Sequence, residues 1–181
     1  MRNGQRLVLG VLLAGWLAAT PSLAHGEPSR EYQLKAAFIY NFVQFVDWPK
    51  DAFADNKSPI VLAVVRDDPF AGALDRAVAG KAVGGRPLVI KHVSKVDDVK
   101  GCHLVFVGAA AEADLDELFR RTDGTPVLTV GETDRFMDGG GIIRFYQEDN
   151  KLRFEINPRA AQRARLRMSA KLLKLARIRG E

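Results

Sequence analysis

Ile60-Val61-Leu62-Ala63-Val64-Val65 is six apolar residues in a row, four of them β-branched. So short a continuous run suits a strand covered on both faces, as in a parallel sheet flanked by helices. Arg66-Asp67-Asp68-Pro69 breaks it, and Asp68 before Pro69 reads as the N-cap and first residue of a helix reaching about Val78. The same rhythm follows downstream. Val83-Gly84-Gly85-Arg86-Pro87 is turn chemistry, Leu88 to Val93 a strand, and Ser94 to Lys100 a polar connection with at most one helical turn. Leu104 to Val107 is a second buried strand, Glu112 to Arg121 a helix with acids in its first turn, and Pro126 to Val130 a fourth strand. Strands alternating with helices at this spacing predict βαβ units.

Upstream, Leu34, Phe38, Phe42 and Phe45 recur at helical spacing between Tyr32 and Asp47, and Trp48-Pro49 closes the helix. Downstream of Gly139-Gly140-Gly141, read as a tight entry turn, Ile142 to Tyr146 and Leu152 to Ile156 flank a polar segment and predict an antiparallel hairpin. Asn157-Pro158 then opens a helical region running to about Arg177. The expected architecture is one α/β domain: a mixed, mostly parallel sheet of about six strands flanked by helices, with a C-terminal hairpin and a terminal helix.

The chain has 181 residues, 47% apolar and 27% charged, as expected for one folded domain after a leader is subtracted. Arg2 and Arg6 precede the apolar run Leu7 to Ala19, and Ser22-Leu23-Ala24 supplies small residues for cleavage. A helix of that run measures about 20 Å, short of the roughly 30 Å hydrocarbon core. Residues 1–24 therefore read as a secretory signal peptide and 25–181 as the exported domain, soluble in the periplasm.

Cys102 is the one cysteine, which excludes an internal disulfide and any cysteine-built zinc or iron–sulfur centre. Lying beside an apolar strand, it reads as a buried, inert thiol. His25, His92 and His103 are scattered, so no metal centre and no cofactor are expected, and His92 and His103 read as packed histidines. The glycine pairs lack GxGxxG or GK[ST] context, and no GxSxG elbow accompanies the serines. Catalysis has no positive support.

Charge is uneven. Pro158 to Glu181 carries eight Lys/Arg and one acid, whereas His25 to Asn157 carries 17 basic and 21 acidic residues. Arg159, Arg163, Arg167, Lys171 and Lys174 step by four, four, four and three, so a continuous helix aligns them on one face. Such a row suits an acidic protein or anionic lipid, or is a solvated helix face. Nucleic acid is the weakest option, since no basic–aromatic interleaving accompanies it. Asn41 stands beside the aromatic stripe and either locks the helix to neighbouring backbone or lines a pocket.

Three stretches together resemble the YfiR-like family of exported bacterial proteins: Tyr32 to Phe42 closing with Phe45-Val46-Asp47-Trp48-Pro49; Val127 to Val130 with Phe136 and Gly139 to Phe145; and Leu152 to Asn157 followed by Leu172 to Ala176. The resemblance implies a periplasmic regulator and not an enzyme. In the characterised system the family member binds the periplasmic sensor domain of an inner-membrane diguanylate cyclase and holds its output low. An OmpA-like outer-membrane lipoprotein sequesters it, homodimers form, and small anionic or aromatic ligands have been associated with it. By this likeness Arg167 and Ser169 match the segment implicated in ligand contact, with serine where the characterised member has histidine. That member's disulfides have no counterpart here. Two functions follow as expectations. One is a partner-binding regulator using the terminal basic segment and the hairpin, with Arg144 and Arg153. The other is a small-molecule-binding module lined by Asn41, Trp48, Arg167 and Ser169.

Overall fold

A computed structural model describes residues 29–180; the expected signal peptide, its cleavage after Ala24 and the start at His25 lie outside the described residues. The first element is α1 (Arg30–Phe45), capped by Ser29, whose Oγ accepts from the Tyr32 N–H at 3.4 Å. Its buried face is Lys35, Ala36, Ile39, Phe42 and Val43. The aromatic stripe is thus rotated from the expected face: Phe38 and Phe45 are half-buried and Leu34 is 46% exposed. The rotation follows from what the helix covers, since Phe42 packs on Phe145 and Phe154, with ring centroids 5.5 and 5.0 Å apart, and Phe38 reaches Phe154 at 5.6 Å.

After β1 (Val46–Asp47) come β2 (Ile60–Val65), α2 (Ala73–Val78), β3 (Ala82–Val83), β4 (Arg86–Val93), β5 (Leu104–Val107), α3 (Leu115–Thr122), β6 (Leu128–Gly131), α4 (Asp134–Asp138), β7 (Ile143–Glu148) and β8 (Lys151–Ile156). The chain continues through α5 (Pro158–Arg163), β9 (Arg167–Met168), α6 (Ala170–Leu173) and β10 (Arg177–Ile178). The main sheet has eight strands in the order β10-β8-β7-β6-β5-β2-β4-β3, two more than expected. The additions are two-residue strands at its edges: β3 folds antiparallel onto β4 through Gly84-Gly85, both at positive φ, and β10 joins β8 in parallel. Strands β4, β2, β5, β6 and β7 are mutually parallel, and the β7–β8 hairpin turns at Asp149-Asn150. A separate two-stranded sheet pairs β1 with β9.

Core residues lie on both faces of the sheet. One layer joins α1, α2, α5 and α6 to Leu62, Val64, Phe106 and Val130; the other joins α3 and Phe136 to Val65, Val105 and Val107. Cys102 is buried in the second layer, and burial pushes its thiol pKa up, as expected of an inert thiol.

The expected terminal helix is broken. Asn157 does cap α5, its Oδ1 accepting from the Ala160 N–H at 3.0 Å, but the helix stops at Arg163 and Arg165 turns left-handed at φ 56°. Arg167 then lies in β9, so the predicted five-residue basic row does not exist as one face. The segment instead wraps back on the acidic body. Arg165 pairs with Asp51 at 2.6 Å, Arg177 with Glu148, and Arg179 with Asp138 and Glu155. Among the described residues, Arg159, Arg163, Lys171 and Lys174 are exposed and carry no ion pair.

Candidate functional site

From β2 the chain passes through α2 to β4 on one side, then crosses back to β5, β6 and β7 on the other. The carboxyl ends of β2 and β5 therefore flank the switch point of the sheet, where open α/β folds form their crevice. The amino-terminal half of α1 lies over this edge. Lys35 is nevertheless on the helix's buried face, its side chain 5% exposed, with Nζ 2.5 Å from both Glu31 Oε1 and Glu132 Oε1. Glu132, 8% exposed, follows β6 directly; its Oε2 accepts from Tyr32 Oη and from the Ala109 N–H, both at 3.2 Å. Tyr32 sets its ring edge-on to Phe70 at 5.4 Å, and Lys35 Nζ lies 4.4 Å from the Tyr32 ring centre. Burial, reinforced by the neighbouring Glu132 carboxylate, drives the Tyr32 phenol pKa well above its ordinary value. Beside these groups is a cavity of about 230 Å³, lined also by Phe145, Tyr146 and Leu152.

The network ties α1 to the ends of β5 and β6 while leaving a small polar cavity. Its lysine neutralises one of two facing carboxylates, so the wall carries a net negative charge that favours a positively charged or hydrogen-bond-donating group. Sequence reading missed this site. The available signal was a lysine at helical spacing from Ile39 and Phe42, and a glutamate one residue after a buried strand.

The residues picked from sequence lie elsewhere. Trp48, Arg167 and Ser169 come together around the β1–β9 pair, far from the crevice along the chain's strand direction: Asp47 is in register with Arg167, and the Ser169 N–H donates to the Phe45 carbonyl at 2.9 Å. Trp48 donates Nε1–H to the His103 carbonyl, just ahead of β5, at 3.2 Å. Ser169 is an N-cap, its Oγ accepting from the Leu172 N–H at 3.2 Å. Arg167 is 86% exposed, with Asp47 at 3.9 Å. Asn41 is exposed on α1 and accepts from Gln44 Nε2 at 3.2 Å, so it neither locks the helix to neighbouring backbone nor is buried.

Arg144 and Arg153 point away from the α1 side of the hairpin, since Phe145 and Phe154 occupy that side. Arg144 is only 11% exposed, its Nε donating to Glu155 Oε1 at 2.7 Å and its guanidinium pairing with Asp134. Arg153 is exposed, opposite Tyr146. Arg177 and Arg179 of the terminal segment reach this same side of the hairpin, Arg177 standing over the Tyr146 ring at 4.4 Å and Arg179 Nη1 3.3 Å from Glu155 Oε1.

His103 is a packed histidine, as expected. Its Nδ1 accepts from the Val61 N–H and its Nε2 meets the Ala52 carbonyl, both at 3.1 Å, which fixes a neutral ring protonated at Nε2. Phe53 stacks on it at 4.5 Å, and the Arg86 guanidinium covers Phe53 at 3.7 Å. Burial chiefly, with Arg86 assisting, holds the His103 pKa below its ordinary value, against the opposing Ala52 hydrogen bond. The unfolded chain takes up this proton near pH 6.5 and the folded chain resists it. This contribution to stability is thus complete above about pH 6.5 and is lost as pH falls through the lower folded-state pKa. Urea midpoints at pH 7.5 and 5.5 should fall more for the wild type than for His103→Gln; equal falls contradict the assignment.

Among the described residues no helix is long and apolar enough to cross a membrane. A conserved domain protein from Vibrio cholerae O1 biovar El Tor strain N16961, known from its crystal structure, is similar over 81% of this chain at 13% identity, with a TM-score of 0.49. The match spans 59% of that protein's length. The model of the family described as YfiR/HmsC-like matches residues 32–177, from Tyr32 of the buried network to Arg177 of β10. The chain belongs to the YfiR/HmsC-like family.

Proposed function

We propose that this protein is a periplasmic regulator acting by contact: it binds the periplasmic domain of an inner-membrane diguanylate cyclase and holds that enzyme's output low, with effects on cyclic di-GMP and biofilm signalling. The observation that carries this reading is the family match over residues 32–177. A domain whose first helix is tied to the sheet edge by the buried Lys35–Glu132 pair suits the role, because a rigid surface discriminates between two receptor states by differential binding. The energy required is modest in kind and large in size: moving a receptor from 1:99 to 99:1 takes a preference of about 5.5 kcal/mol. Export after Ala24, a homodimer and sequestration by an OmpA-like lipoprotein belong to the same proposal.

The contact residues assigned here are Arg153 and Arg167, exposed cations on different parts of the surface, with Asn41 and Trp48 beside the latter's end of α1; Arg144 and Ser169 hold their segments in place. Purified domain and detergent-solubilised cyclase are expected to associate, and Arg153→Glu or Arg167→Glu to weaken that association at least about tenfold, through the loss of charge complementarity. Absence of association with folded wild-type protein rejects the reading.

The cavity beside Lys35 favours a second reading, a small-molecule-binding module serving another signalling partner. Thermal-shift screening of small amines, phosphates, nucleotides and aromatic amino acids tests it. A flat screen with cyclase binding intact rejects this alternative alone.

A further inference from the structure

At the carboxyl ends of the adjacent strands β2 and β4, three side chains from three elements converge outside the Lys35 network. Asp68 lies in the connection after β2, Asp75 on α2, and His92 one residue before the end of β4. One ligand atom from each can be chosen so that all lie within 4.8 Å of one another. His92 Nδ1 is 4.0 Å from Asp68 Oδ2, and His92 Nε2 is 3.6 Å from Asp75 Oδ1. These separations are too long for hydrogen bonds. A single ion takes only one of the two ring nitrogens; with one nitrogen and one oxygen from each carboxylate all three atoms lie within 4.8 Å of one another, and a turn of the exposed His92 ring brings them to the roughly 3–4 Å spacing of ligands about 2.0–2.2 Å from one metal.

Asp68 is oriented for this by the backbone: its Oδ1 accepts from the Phe70 N–H at 2.8 Å, which leaves Oδ2 turned toward the imidazole. Among the described residues no lysine or arginine pairs with either Asp68 or Asp75, unlike the acids of the neighbouring Arg66–Asp114 and Lys35–Glu132 pairs. Two carboxylates that share only a histidine lack a fixed positive charge. His92, expected from sequence to be a packed histidine, is instead exposed and available.

We propose that Asp68, Asp75 and His92 form a binding site for Zn²⁺, with water completing the coordination. The imidazole selects a late first-row metal over Ca²⁺ and Mg²⁺, which take all-oxygen ligand sets.

Titrating ZnCl₂ into untagged protein at pH 7.5 tests this by calorimetry and by amide chemical shifts. The titration is run in a His25→Ala background, because His25 lies outside the described residues. One equivalent is expected to bind, with shifts confined to residues around 68, 75 and 92. His92→Ala and Asp75→Asn each lower the affinity at least about tenfold while leaving the far-ultraviolet circular dichroism unchanged. No saturable binding overturns the proposal. So does binding that survives His92→Ala, or an equal affinity for Ca²⁺. Because these surface substitutions spare the core, a loss of binding in a folded variant is attributable to the ligand set.

Discussion

Lys35→Met is expected to destabilise the protein by about 3–5 kcal/mol, the usual cost of leaving a buried charge without its partner. Glu132 is nearly buried, and Lys35 is its ion-pair partner; methionine keeps the packing of the stem but leaves the carboxylate facing Tyr32 and Glu31 uncompensated. Urea unfolding at pH 7.5 reads the loss directly, and the melting temperature should fall by roughly 10 °C. Adding Glu132→Gln to Lys35→Met should recover part of the stability, because an amide can still accept from Tyr32 and the Ala109 N–H without carrying charge. A loss below about 1 kcal/mol would show that the carboxylate protonates or rehydrates at little cost, and the network would not be the clamp described.

Gly141→Ala is expected to cost about 3 kcal/mol, at the upper end of overpacking. A methyl group at Gly141 would stand 2.1 Å from Phe136 Cε1, and one at Gly131 would stand 2.4 Å from Phe136 Cγ. The ring is held between the two glycines, fully buried against α3, with Phe119 5.7 Å away. It cannot rotate aside without opening the second core layer. Phe136→Leu should be strongly destabilising in the wild type and much less so in Gly141→Ala, because leucine vacates the space the methyl group needs. A double-mutant cycle with coupling of about 1 kcal/mol or more supports this packing, and simple additivity contradicts it.

The central strands were legible because their signal is local: a run such as Ile60 to Val65 can be satisfied only by cover on both faces, and β2, β5 and β6 receive it. Gly139-Gly140-Gly141 read correctly as a turn into a strand, but the tight fit of Gly141 on Phe136 is a tertiary fact that no spacing contains. The terminal segment misled for the opposite reason. A four-residue step of cations is compatible with a helix, yet no glycine or proline marks the left-handed Arg165 where α5 ends, and the acids that capture Arg165, Arg177 and Arg179 are distant in sequence. Two-residue strands such as β9 and β10 carry too little pattern to read at all.

The site was less legible than the fold. A charged residue on a helix is normally counted as exposed, so Lys35 could be placed inside only by knowing that Glu132, 97 residues away, meets it at the end of β6. Asp68, Asp75 and His92 were each visible as residue types, but their convergence depends on β2 and β4 being neighbours and on α2 lying beside them. The residues selected for their chemistry, Trp48, Arg167 and Ser169, are gathered by the β1–β9 pairing, which no periodicity announces.

Cellular cyclic di-GMP, measured after deletion of this protein and again after it is restored as the full 181-residue chain, tests the regulatory account most directly. The account predicts a rise on deletion and a return on restoration, with Arg167→Glu failing to restore the low level although the folded protein accumulates. An unchanged level on deletion, in cells where the cyclase is present and active, contradicts it.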